Sequence, residues 1–154
     1  MSKKSKNKSV KEIRNPDAYR NYDISEEIEC GIVLKGSEIK SIRSGNSSLK
    51  DSYGIIKNGE CYILNMYVKP YENGMFNPEP TRNRKLLLHK KEIIKIESLI
   101  KEKGLSFIPI KMYFKNQNVK ILMGLGKGKK LYDKRQDIAK RDVKRKLDRI
   151  KKRF

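Results

Sequence analysis

Asn58-Gly59 separates two runs, "LKDSYGIIK" (49–57) and "ECYILNMYV" (60–68). This pair tolerates the positive φ angles of a type I′ turn, so the chain reverses here and the two runs read as an antiparallel hairpin. Upstream, "ECGIVL" (29–34) reads as a strand, followed by a turn at Gly36, a short helix carrying Ile39 and Ile42 one turn apart, and a stop at Gly45. Downstream, 85–88 reads as an apolar strand and about 90–103 as a helix with Ile93, Ile96 and Ile100 on one face, ended by Gly104.

A second hairpin is expected from "SFIPIKMYF" (106–114), "NQN" and "VKILMGLG" (119–126). Alternation places Ile108, Ile110, Met112 and Phe114 on a shared face. Pro109 cannot donate to a ladder, so it needs an edge or a bulge. Between the hairpins, residues 69–84 hold Pro70, Pro78 and Pro80 and little periodicity, which marks a long excursion. The expected fold is mainly β with short helices, an OB-type β-barrel over 15–126.

The formal charge is +20, and its placement is uneven. Residues 1–14 carry six basic and one acidic residue, and residues 127–154 carry fourteen and four. The first stretch reads as a basic flexible arm. In the second, Ala139, Val143, Leu147, Ile150 and Phe154 recur at helical spacing, and Asp137/Arg141, Asp142/Lys146 and Asp148/Lys152 are favourable i,i+4 pairs. Such pairs contribute only ~0.2–0.5 kcal/mol each. Against the mutual repulsion of the cations they leave a tail expected to be disordered in the free state and helical once a polyanion neutralises it.

No covalent chemistry is indicated. His89 is the single histidine and lacks a nucleophile or metal-ligand cluster around it. Glu26 and Glu27 read as solvated strand-edge charges, and "GLGKGKK" lacks the spacing of a phosphate loop. Cys30 and Cys61 are solitary, with no zinc spacing and no secretory segment ahead of them, so a reduced, cytoplasmic setting is expected, without cofactor, metal or membrane span. Basic clusters interleaved with tyrosines at 19, 22, 53, 71, 113 and 132 point to nucleic acid: cations neutralise phosphates while rings stack on unpaired bases. With neither a helix-turn-helix nor a finger pattern, RNA is favoured over DNA.

Five words, "ECGIVLKGSEIKSIRSG" (29–45), "LKDSYGIIKNGE" (49–60), "PTRNRKLLLHKKEI" (80–93), "IPIKMYFKNQNVKI" (108–121) and "GKGKKLYDKR" (126–135), resemble the SsrA-binding protein family, also called small protein B or SmpB, in collinear order. The resemblance implies an adaptor that binds the tRNA-like domain of transfer-messenger RNA and delivers it to stalled ribosomes for trans-translation, with no small-molecule substrate. On the barrel it implies RNA contacts at Tyr22, Glu29, Arg84, Lys85, Leu87 and Lys120, and at the tail's root Lys127, Lys129 and Lys130. Glu29 reads equally as a structural partner of nearby lysines, and Leu87 as core packing. The tail is implied to fold in the ribosome's vacant mRNA path, with Tyr132, Asp133, Lys134 and Arg135 near the small-subunit decoding centre.

One word departs from the family pattern. "NPDAYRNY" (15–22) has Pro16 and Asp17 where a basic pair is usual and Arg20 where a histidine is, while Asn15 and Tyr22 remain in place. A basic ribosomal structural protein or a general RNA-binding protein shares the composition and is the alternative reading.

Overall fold

The structure, a computed structural model of the chain, describes residues 12–72, 74, 76–129 and 141–146. The elements run β1 (Ile13–Arg14), α1 (Asp17–Asn21), β2 (Tyr22–Ile32), α2 (Gly36–Arg43), β3 (Ser47–Ser48), β4 (Tyr53–Lys57), β5 (Glu60–Leu64), β6 (Tyr67–Val68), β7 (Arg84–Leu87), α3 (Lys90–Lys103), β8 (Ser106–Lys115) and β9 (Asn118–Gly128). The protein is mainly β with a few short helices.

Both hairpins form. Asn58 and Gly59 have φ of 53° and 75°, as a type I′ turn requires, and Lys57 faces Glu60 across it. The second turn uses Asn116 and Gln117 at φ 51° and 69°, closing Lys115 onto Asn118 without a glycine. The strands of the first hairpin are shorter than expected. Asp51 and Asn65 adopt positive φ and end the ladder at Tyr53 and Leu64, and Tyr67–Val68 leaves to pair with Ser47–Ser48. In contrast, the strand expected at 29–34 begins at Tyr22, because β2 pairs with β9 from Tyr22–Gly128 through Gly31–Lys120.

Strand pairings run β8–β4–β5–β7–β2–β9 and return from β9 to β8, all antiparallel, so the sheet closes a circuit. Its narrowest link is β4–β8, made at Gly54 opposite Phe107. A Cβ on Gly54 would lie 2.4 Å from Phe107 Cδ2, so only glycine admits the ring there. The main core inside the circuit includes Cys30, Ile63, Leu86, Phe107, Met112, Ile121 and Met123, joined by Ile42 of α2 and Ile96 of α3.

One expectation about faces fails at Pro109. The register shifts between Pro109 and Lys111, and this bulge is the accommodation a mid-strand proline needs. The extra residue swaps the alternation: Met112 and Phe114 face the main core, while Ile108 and Ile110 pack with Ala18 of α1 in a second cluster on the opposite face. Asn15 serves the bulge, its backbone N–H donating to Ile110 O at 2.8 Å and its Nδ2 to Pro109 O at 2.9 Å.

The excursion 69–84 is tied down rather than loose. Lys69 N donates to Asn46 O, Val68 N to Pro80 O, and Ser41 Oγ to Lys69 O at 2.6 Å. Residues 141–146 are helical and exposed in the isolated chain, where the sequence reading expects disorder for the free tail. Lys130, Tyr132, Asp133, Lys134 and Arg135, and the basic arm through residue 11, lie outside the described residues.

Candidate nucleic-acid interface

On β2, β7, β8 and β9 the residues between core positions point outward. Cross-strand pairing lines up Tyr113, Lys120, Gly31 and Leu87 in one row over four strands. Glu29 is one position removed on the same face, opposite Leu122. The strand order thus gathers Glu29, Leu87 and Lys120, which lie far apart in sequence. Leu87 is 53% exposed, so the core-packing reading does not apply to it. Lys85, two residues back on β7, lies on the same face and holds Glu60 at 2.5 Å in a half-exposed pair. That hydrogen bond and charge raise the lysine's pKa, keeping it cationic.

Glu29 is the electrostatic hub. Its Oε2 accepts a short hydrogen bond from Tyr113 Oη, and its Oε1 accepts one from Lys115 Nζ at 3.3 Å. The tyrosine bond is the main cause of a lowered Glu29 pKa; partial burial opposes it, and Lys115 and the charge of Lys120 add to it. Conversely, burial first and then Glu29 push the Tyr113 phenol up to about 12. Lys111 Nζ sits 5.6 Å from the Tyr113 ring centroid and 3.3 Å from Glu12. Glu29 is therefore an ionised carboxylate that organises one aromatic ring and two lysines. Sequence reading noted Tyr113 only among the interleaved tyrosines and missed Lys111 and Lys115; their alternation with the inward Met112 and Phe114 was the available signal.

Arg84 is not on this face. It is fully buried, and its guanidinium donates to Glu38 Oε2 at 2.8 Å, Met66 O at 2.7 Å, Pro80 O at 3.0 Å and Arg82 O at 3.1 Å. Here a surface contact was expected and an internal brace is found. The residue alternates with Lys85 along β7, so the strand's period of two sends one cation in and the other out.

Tyr22, Lys127 and Lys129 form a separate group. Tyr22 is half-buried against the Ala18, Ile108 and Ile110 cluster, Lys127 faces Asp23, and Lys129 N donates to Asn21 O at 2.9 Å. Tyr22 lies nine positions from Gly31 along β2, about 30 Å at strand rise. A concavity of about 470 Å³ opens near this end, lined in part by Asn15, Tyr22, Tyr53 and Phe107.

Among the described residues, no group of three or more His, Cys, Asp and Glu is arranged to hold a metal ion, and no helix is long and apolar enough to cross a membrane. Burial raises the pKa of both cysteine thiols, Cys61 to about 12, so neither supplies a thiolate near neutral pH. What the surface offers is cations, an exposed aliphatic side chain and a clamped aromatic ring on a rigid sheet, the chemistry of a nucleic-acid-binding protein.

Comparison with known proteins agrees. The family model described as SmpB protein matches residues 12–153. Curated relatives named SsrA-binding protein include one from Acetivibrio thermocellus, 56% identical over 137 residues with 88% of this chain and 89% of the relative covered. Another, from Bacillus subtilis, is 53% identical with 88% of each covered, and a third, from Staphylococcus carnosus, is 50% identical with 99% and 98% covered. A solved chain from work on tmRNA-SmpB and the bacterial ribosome matches with TM-score 0.65 and 42% identity, covering 80% of this chain and 86% of that one. The chain belongs to the SmpB protein family.

Proposed function

We propose that this protein is a non-enzymatic, cytoplasmic adaptor whose body binds the tRNA-like domain of transfer-messenger RNA and carries it to stalled ribosomes for trans-translation. The observation that carries the reading is the outer face of β7, β2, β9 and β8, where Lys85, Leu87, Glu29, Tyr113 and Lys120 stand together on one rigid sheet. Lysines neutralise phosphates, Tyr113 and Leu87 offer stacking and apolar contact to splayed bases, and Glu29 accepts from base amino groups or 2′-hydroxyls. Family membership supports the same partner.

In this reading the closed circuit of strands, which ends with β9 at Gly128, is an OB-type barrel, the residues ahead of β1 are a basic arm, and those after Lys129 are a tail that docks in the mRNA path of the stalled ribosome. Tyr22, Lys127, Lys129 and Lys130 contact the RNA, and Tyr132, Asp133, Lys134 and Arg135 reach the decoding centre. The proposal is tested by sequencing the RNA that co-purifies with tagged protein from its native cells. One dominant tRNA-mimicking species is expected; stoichiometric recovery of whole ribosomal subunits instead would favour a ribosomal structural protein.

A further inference from the structure

Gln117 occupies φ 69° beside Asn116 at 51°, both in the left-handed region that disfavours residues with a Cβ. A glycine at 117 would relieve that strain, so the side chain's presence there points to something it does. It helps line a concavity of about 320 Å³ together with Gly31, Leu34, Ile39, Leu87 and Lys120. A Cβ on Gly31 would press to 3.3 Å from Leu87 Cβ, so glycine leaves room beside that side chain. The volume is at the small end for organic ligands, enough for a planar heterocycle between aliphatic walls.

We infer that this concavity receives one unpaired nucleobase of the bound RNA, held between Leu34, Ile39 and Leu87, with the Gln117 amide reading its edge and Lys120 meeting the adjoining phosphate. The inference rests on the functional reading above and adds to it a subsite for an unpaired base. A primary amide sets an N–H donor beside a C=O acceptor, which complements the adjacent donor and acceptor on the exposed edge of an unpaired base. The occupant is a base of the RNA rather than a free nucleotide, because the lysine face beside the concavity continues along the sheet and requires a polyanion to use it.

The test uses the full chain and the isolated tRNA-like domain of transfer-messenger RNA, with affinity and base-by-base dimethyl sulfate reactivity measured together. Gln117→Gly is expected to raise the unfolding temperature while weakening binding roughly tenfold, the equivalent of one lost bidentate base contact. It should also change the reactivity of a single unpaired base. Ile39→Trp, which fills the concavity, should reproduce the affinity loss and the same reactivity change. If both variants bind like the parent while Lys120→Ala binds more weakly, the subsite is overturned and the functional reading stands. If the parent itself does not bind this RNA, the functional reading falls and this inference with it.

Discussion

Arg84 Nη2 lies 2.6 Å from Glu38 Oε2 with both side chains buried, joining β7 to the first turn of α2. The same carboxylate accepts from Arg82 Nη2 at 2.6 Å and from the Lys35 backbone N–H at 2.8 Å, so one glutamate anchors a helix start, a strand and the end of the 69–84 excursion. Burial pushes the Glu38 pKa up, but Arg82, the Lys35 N–H and Arg84 outweigh it and hold the carboxyl below its ordinary value. Braced this way, β7 presents Lys85 and Leu87 outward at a fixed register.

Removing the charge strands a buried guanidinium. Glu38→Gln is expected to cost about 3–5 kcal/mol at neutral pH. Because the folded pKa is the lower one, this stabilisation is complete above the unfolded carboxyl value of about 4.3 and is lost as pH falls through the folded value. Urea unfolding across that range should show the parent losing more stability on acidification than the variant; equal acid sensitivity would contradict the assignment.

Closure of the strand circuit depends on contact at Gly54. Gly54→Ala places a methyl 2.4 Å from Phe107 Cδ2 and 3.0 Å from Met123 Cε, and overpacking of this kind costs about 1–3 kcal/mol. The unfolding midpoint should fall accordingly. An unchanged midpoint would mean that the β4–β8 link yields freely.

Tyr113→Phe deletes the hydrogen bond that contributes most to the lowered pKa of Glu29. The Glu29 carboxyl should titrate at higher pH in the variant, closer to an ordinary glutamate, as followed by carbon-13 NMR of labelled side chains. No movement would assign the low pKa to the lysines alone.

Lys120→Ala should weaken binding of transfer-messenger RNA and flatten its salt dependence by ~0.7–0.9 in log–log slope, the signature of one lost phosphate contact. A parallel shift with the slope preserved would make Lys120 a structural residue.

Local rules carried far in this chain. Asn58-Gly59, the Gly104 helix stop, which adopts φ 64°, and the need for a bulge at Pro109 were legible because each depends on the conformational limits of one or two residues. What escaped depended on partners distant in sequence. The burial of Arg84 is set by Glu38, 46 positions away, and the run 60–68 splits because Tyr67–Val68 finds Ser47–Ser48 rather than β4. The sides taken by Ile108 and Ile110 follow from where the bulge inserts its extra residue, which periodicity cannot locate. The candidate face was legible in part: Glu29, Lys85, Leu87 and Lys120 came from family words, whereas Tyr113 and Lys115 join them only once β8 lies beside β9.

The division between an RNA-gripping body and a ribosome-seeking tail is tested most directly by truncation, and the structure fixes where to cut. Gly128 pairs with Tyr22 and Lys129 N bonds Asn21 O, so the body extends through residue 129. A chain ending at Lys129 should bind the tRNA-like domain within a few fold of the full-length protein yet fail to support peptide tagging on stalled ribosomes. Loss of RNA affinity on truncation, or tagging that persists without residues 130–154, would contradict the account.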